Sequence, residues 1–276
     1  MKRNVTVLLF GMLSLGAARA QENVVDHLTV PLSDPGKPCK LYASLMNGGI
    51  HVTGYEGSDI EIDAVTQMKK VSRSGKNGRD VEGMIHIPAI SSALEVEEKD
   101  NVVEIDVESH RHTVDLNIRV PWNCSVELSA LNHGDIIVEN LTGTHEVENH
   151  NGDIVMTGIS GSVVANTHNG KINVVFRKVD TDRIMAFGSF NRDVDVTFPP
   201  DLKASVKLKT EQGEIFSDFP IQASENPARI HQEKSREKNG RYKVSIERAY
   251  LGTINGGGQE LQFTTYNGDI LIRKAR

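Results

Sequence analysis

The stretch ENHNGDIVMTGISGSVVANTHNGKINVVF, residues 148–176, says nearly the same thing twice, as HNGDIVM and HNGKINV. Aligned on the turn position, the phrase recurs as NHGDIIV, HNGDIVM, HNGKINV, FNRDVDV, EQGEIFS and YNGDILI around Gly134, Gly152, Gly170, Arg192, Gly213 and Gly268. MNGGIHV, around Gly48, reads as an earlier copy. A repeat with a fixed period limits the fold more than composition does, because each copy is one supersecondary unit that must be buried against its neighbours.

The side chains fall into columns. Two residues after the turn stand Ile136, Ile154, Ile172, Val194, Ile215 and Ile270, and four after it Val138, Met156, Val174, Val196, Ser217 and Ile272. Before the turn, alternate positions are again mostly apolar, with Val147, Ala165, Phe187, Leu208 and Phe263 at one step and His145, Val163, Met185, Val206 and Leu261 two residues earlier. A period of two that keeps its phase means two short strands per copy, with alternate side chains facing one interior. Between the inner columns and the turn lies a row of small polar residues, Asn149, Thr167, Ser189, Thr210 and Thr265, placed to hydrogen-bond the corner backbone. The turn glycines Gly48, Gly134, Gly152, Gly170, Gly213 and Gly268 are expected to supply a positive φ, with Asn191 doing so beside Arg192.

The fold expected is all-β, a single-stranded parallel β-solenoid, β-helix-like, of short Asn-Gly-cornered rungs with flanking longer strands. A hairpin sandwich is the alternative, since Asn-Gly between alternating runs also signals a hairpin. Residues 66–83 read as a polar loop, 90–120 as longer flanking strands, and 221–248 as a charged hairpin or excursion within a domain spanning 40–276, after a lead-in over 21–39.

The amino terminus reads as a secretory signal peptide over residues 1–20, with Lys2 and Arg3 before an apolar run and a small-residue cleavage pattern ending at Ala20. The expected destination is the periplasm, the cell surface or the exterior, and no second apolar run long enough for a transmembrane helix follows. In such a compartment Cys39 and Cys124 can form one bridge, with two buried thiols as the alternative. A net charge of −6 spread along the chain gives no basic footprint for nucleic acid.

The run VDLNIRVPWNCSVELSALNHGDIIVENLTG, with VDVTFPPDLKASVKLKTEQGEIFSDF and the ending GTINGGGQELQFTTYNGDILIRK, resembles a bacterial family of exported β-strand-repeat proteins of unknown function described as candidate adhesins. The resemblance spans about residues 40–276 and is similar in style to head domains of auto-transporter adhesins. It implies an exported solenoid and an adhesin label; the label rests on fold analogy and says little about ligand, and the partner expected is an unidentified envelope protein or surface glycan.

Three sets of residues are candidates for chemistry. The stripe Asp135, Asp153, Asp193, Glu214 and Asp269, interrupted by Lys171, either collects a cation or solvates the corner by bonding nearby backbone. His150 and His168, one copy apart in the same outward column, could share a metal with Asp153, or simply stack. Ile137, Val155, Phe216 and Leu271 place apolar residues on an outward face, either covered by the strands of 90–120 or used for a partner or self-association. No cofactor is expected and no paired catalytic carboxylates are evident, so a non-enzymatic binder is the reading. A polysaccharide lyase or hydrolase on a β-helix scaffold is the alternative.

Overall fold

The computed structural model describes residues 24–67, 93–108, 112–180, 182–228, 231–236, 242–247 and 249–276. The signal-peptide segment and most of the 66–83 loop lie outside them, although Thr66 and Gln67 belong to a strand. Every regular element among the described residues is a strand.

The first part of the chain gives β1 (Val24–Pro31), β2 (Cys39–Asn47), β3 (Ile50–Tyr55), β4 (Asp59–Gln67), β5 (Ala93–Lys99), β6 (Val102–Glu108) and β7 (Thr113–Pro121). The repeats follow as β8 (Cys124–Asn132), β9 (Ile136–Glu139), β10 (Thr142–Asn149), β11 (Ile154–Thr167), β12 (Ile172–Val179), β13 (Met185–Ser189), β14 (Val194–Phe198), β15 (Ala204–Lys209) and β16 (Ile215–Ser217). The insertion supplies β17 (Ile221–Ala228), β18 (His231–Arg236) and β19 (Tyr242–Glu247), and the end of the chain β20 (Tyr250–Ile254), β21 (Gln259–Thr265) and β22 (Ile270–Lys274).

Two parallel ladders carry the repeat. On the side after the turn the order is β7-β3-β9-β11-β12-β14-β22-β16; before the turn it is β6-β2-β8-β10-β11-β13-β21-β15. Antiparallel strands join at the ends, β1 on β4 and β4 on β7, β5 on β6, and β20 between β15 and β17, so the sheet as a whole is mixed. The β5–β6 hairpin turns on Asp100 and Asn101, both at positive φ, the two-residue turn whose twist suits a hairpin. Within the insertion, β18 and β19 pair as a separate two-stranded sheet.

The order of rungs in space departs from their order in sequence. The carboxy-terminal pair β21–β22 lies between β13–β14 and β15–β16, so the turn at Gly268 stacks on that at Arg192, and the turn at Gly213 closes the end. Burial follows this order. Ile136, Ile154, Ile172, Val194 and Ile270 are fully buried, whereas Ile215 in the same column is 36% exposed because no further rung covers it. Ser217, the one polar residue of its column, also sits in that last rung and bonds Phe219 instead. Phe176, Phe187, Phe198 and Phe263 interlock where the carboxy-terminal rung enters, with Phe187 and Phe263 stacked at 5.1 Å and Phe176 and Phe198 at 5.2 Å.

The turn glycines are required for a reason other than the one expected. Of the six, only Gly48 has a positive φ, at 131°. At the others a Cβ would strike the turn of the neighbouring rung: 1.9 Å from the Gly152 carbonyl at Gly170, and 2.0 Å from the Gly134 carbonyl at Gly152. Glycine is needed because backbones stack directly on backbones there. Asn191 is likewise not at positive φ.

The small polar row does what its chemistry suggests. Thr167 Oγ1 donates to the Gly152 carbonyl at 3.0 Å and accepts from the Gly170 N–H at 3.1 Å, so one hydroxyl ties its own turn to the previous rung. Ser189, Thr265 and Thr210 repeat both bonds, and Asn149 does the same with its amide. Thr167→Val keeps the shape but leaves a buried N–H and a buried carbonyl unpaired, so it should cost about 1–3 kcal/mol. Thr167→Ser should cost much less, and chemical denaturation of the two variants checks the difference.

Candidate functional site

The two histidines singled out by the sequence are brought together, and they extend into a longer array. His150 and His168 stack at 5.1 Å with planes 5° apart, His168 stacks on Phe190 at 4.8 Å, and Phe190 on Tyr266 at 5.0 Å. The column continues the other way. The His150 N–H bonds the Ala130 carbonyl, which places Leu131 beside His150, and the β2–β8 register places Met46 beside Leu131. Met46, Leu131, Phe190 and Tyr266 are 42–44% exposed, and both histidines are exposed.

A second column runs beside it. Asn151 donates to Asn132 Oδ1 at 2.8 Å, Asn169 to Asn151 at 2.7 Å, Asn191 to Asn169 at 2.5 Å and Asn267 to Asn191 at 2.8 Å, while Asn47 is in register with Asn132. Alignment on glycine conceals the Leu131–Asn132 rung, because His133, at φ 62°, is an extra residue that shifts that copy by one. An Asn two residues before a turn, followed by a residue able to adopt positive φ, is the signal that would have revealed it.

The geometry argues against the metal reading. Imidazole lone pairs lie in the ring plane, so two parallel rings 5.1 Å apart cannot aim both at one ion. Asp153 Oδ1 accepts the Lys171 N–H at 2.7 Å, and no group of three acidic, histidine or cysteine ligands assembles among the described residues. The rest of the acidic stripe behaves alike: Asp135 accepts the Asp153 N–H, Asp193 the Asp269 N–H, and Asp269 the Glu214 N–H. Lys171, the exception in the stripe, pairs with Asp193 at 3.2 Å.

The apolar set Ile137, Val155, Phe216 and Leu271 does lie on one outward column, but Asn173 and Asp195 divide it. Arg273 covers that gap by bonding Asp195 at 2.7 Å. The strands of 90–120 do not cover this face. They extend the sheet edges instead, β6 beside β2 and β7 beside β3, because their own backbone donors find partners there. Phe216, 49% exposed, stands at the end rung.

Outside these columns, a 340 Å³ concavity on the outer face of β6, β2, β8 and β10 gathers Glu104, Asp106, Glu127, Glu146 and Glu148 around Tyr42. Lys40 bonds the Tyr42 hydroxyl and Glu127, and the Tyr42 bond is the main reason its pKa is raised. An ammonium held more firmly charged is no base at neutral pH.

His145 is a buried residue of another kind. It occupies the inner column that holds Val163 and Leu261, is fully buried, and neither ring nitrogen has a partner of ordinary hydrogen-bond geometry. Burial pushes its pKa down to about 4, with a smaller opposing effect from the Ser160 backbone. As pH falls below the ordinary histidine value of about 6.5, the unfolded chain takes up a proton that the folded one refuses. Stability should therefore be full above about pH 6.5 and fall by about 3 kcal/mol on approach to pH 4. His145→Val should remove that component, as denaturation midpoints measured across this range would show.

Cys39 and Cys124, paired in register on β2 and β8, form a disulfide with a Cα–Cα distance of 4.5 Å.

The fold and site together define a stacked-rung β protein whose corners display single-file arrays of exposed side chains. The Toastrack DUF4097 family profile matches residues 77–255, more than half of the chain, and the protein belongs to that family. Among solved structures, a candidate cell adhesion protein from Clostridium sporogenes ATCC 15579 is similar with a TM-score of 0.50 at 10% identity, over 92% of this chain and 100% of that one. A candidate adhesin from Bacteroides fragilis NCTC 9343 matches 93% of this chain and 98% of its own at 11% identity, with a TM-score of 0.31. At such identity the likeness to the Clostridium sporogenes protein concerns the fold alone. No curated protein matches in sequence. Among the described residues no helix is long and apolar enough to cross a membrane.

Proposed function

We propose that the chain is an exported, non-catalytic parallel β-solenoid with antiparallel ends, which binds a component of a cell surface or envelope in the manner of an adhesin. The observation that carries this reading is the exposed double column from Met46 and Asn47 to Tyr266 and Asn267. From His150 to Tyr266 its rings are fixed by stacking, and from Asn132 to Asn267 its amides are fixed by a hydrogen-bond ladder, although the column faces solvent. A surface whose rotamers are already ordered binds at a smaller entropic cost. The signal-peptide pattern of residues 1–20 and the description of the Clostridium sporogenes neighbour as a candidate cell adhesion protein agree with it. The corner carboxylates, occupied by backbone N–H groups, are poorly placed for acid–base work.

A catalytic reading is favoured only by the acidic concavity with Lys40 and Tyr42. Its carboxylates are exposed, which leaves water free to screen them. The purified protein should sediment with intact bacterial envelopes and release no reducing ends from envelope polysaccharides. Failure to sediment would sink the binding reading, and reducing-end release abolished by Glu127→Gln would establish the catalytic one.

A further inference from the structure

We infer that the double column is a binding ridge for an extended, neutral, β-1,4-linked polysaccharide chain, a proposal that rests on the surface-binding reading above. The ridge holds Met46, Leu131, His150, His168, Phe190 and Tyr266 in one file and Asn47, Asn132, Asn151, Asn169, Asn191 and Asn267 in the other, each at one residue per rung. With rungs about 4.8 Å apart, six positions span about 24 Å in a straight line. A partner that uses all six must therefore repeat at nearly the same interval along an extended axis, as successive pyranose rings of a β-1,4-linked chain do.

The chemistry of each step narrows the class. An asparagine amide has two N–H donors and two acceptor lone pairs. Within the ladder Asn169 and Asn191 each spend one N–H and one lone pair, which leaves one donor and one acceptor at each of these two rungs for a polyhydroxylated ligand. Asn151 instead spends both N–H groups, on the Leu131 carbonyl and Asn132 Oδ1, and keeps one lone pair. Because the rings stack face to face, they present edges outward, and an aromatic edge carries the positive part of the ring quadrupole. Edges of this kind meet hydroxyl and ether oxygens rather than stacking on a sugar face.

Charge supplies the remaining selection. From Met46 and Asn47 to Tyr266 and Asn267 neither file contains an acidic, lysine or arginine side chain, and Glu211 stands one rung beyond Tyr266. Asp135, Asp153, Asp193 and Asp269 run along one flank, interrupted by Lys171 and Arg192, and Glu148 lies on the other. Anionic polymers, including nucleic acids and uronate-rich glycans, would meet more carboxylates than cations beside the ridge and are disfavoured. A neutral chain meets no such opposition.

The test is co-sedimentation of the purified mature protein with microcrystalline cellulose and with chitin, two sources of the same backbone chemistry, and with cross-linked polygalacturonate as the anionic probe. Retention on cellulose or chitin, competed by cellohexaose or chitohexaose respectively, is expected, with at least tenfold less retention for Phe190→Ser combined with Tyr266→Ser. Leu131→Glu, which sets a charge on the ridge at an exposed position, should weaken retention similarly while leaving the melting temperature within a few degrees. Glu127→Gln, off the ridge, should change nothing. The inference is overturned by no retention on either neutral polymer, by retention that survives Leu131→Glu, or by preference for polygalacturonate. Sedimentation with envelopes that neither hexasaccharide competes would leave the surface-binding reading standing and sink this one.

Discussion

Phe263→Ala should cost about 3–5 kcal/mol, the range for removing a large aromatic from a packed core. Phe263 is fully buried, stacked on Phe187 and edge-on to Phe198, in the strand that enters between two rungs distant from it in sequence. The effect should extend beyond the missing ring. β15 has β21 as its parallel partner, and β16 has β22, so loosening the carboxy-terminal rung unseats the last repeat as well. Hydrogen exchange should therefore rise in residues 204–217 along with 259–274, while β8 to β10 stay protected. A loss confined to residues 259–274 would mean the last rung holds its place by other contacts.

Reducing the Cys39–Cys124 bond should have an effect of similar size. The two residues are 85 apart in sequence, and loop-closure entropy for a link of that length amounts to about 4–5 kcal/mol. The bridge also fastens β2, which belongs to the earliest copy of the repeat, onto β8, across a segment that holds β3 to β7. Both sulfurs are buried, and both strands stay paired in register without the bond, so reduction should lower stability without removing the fold. The measurement is the urea midpoint with and without reductant, compared with Cys39→Ala combined with Cys124→Ala. Equal midpoints in all three would show that the link contributes nothing.

Much of the interior was legible in the sequence, because a strand's two-residue period is written in side-chain polarity. Outside the last rung, where Ile215 and Ser217 are exposed and Thr210 is half-buried, the inner columns from Ile136 to Ile272 and the small polar row from Asn149 to Thr265 are buried as their phase implies. Three features were not legible, each for a physical reason. The order of rungs depends on a contact between segments far apart in the chain, and nothing local to Gly268 says that it stacks on Arg192. The glycines mark corners, but close approach of two backbones and a positive φ leave the same residue in the sequence. A single inserted residue, His133, put Leu131 and Asn132 out of step, so their rung of the outward array was hidden.

The stacking order and the exposed array rest on the same adjacency, and one cross-linking measurement tests both. Phe190 and Tyr266 are neighbours in the stack, and the Gln212 N–H bonds the Tyr266 carbonyl, which puts Glu211 one rung further on. Neighbouring rungs about 4.8 Å apart allow a disulfide, whereas two rungs, about 9.6 Å, do not. Oxidised protein carrying Phe190→Cys and Tyr266→Cys should form the new bridge in high yield, read as a gel shift and as a linked peptide by mass spectrometry. Protein carrying Phe190→Cys and Glu211→Cys should not. The reverse result, a bridge from position 190 to position 211 and none to 266, would mean that the rungs stack in sequence order, and would contradict both the fold and the ridge built on it.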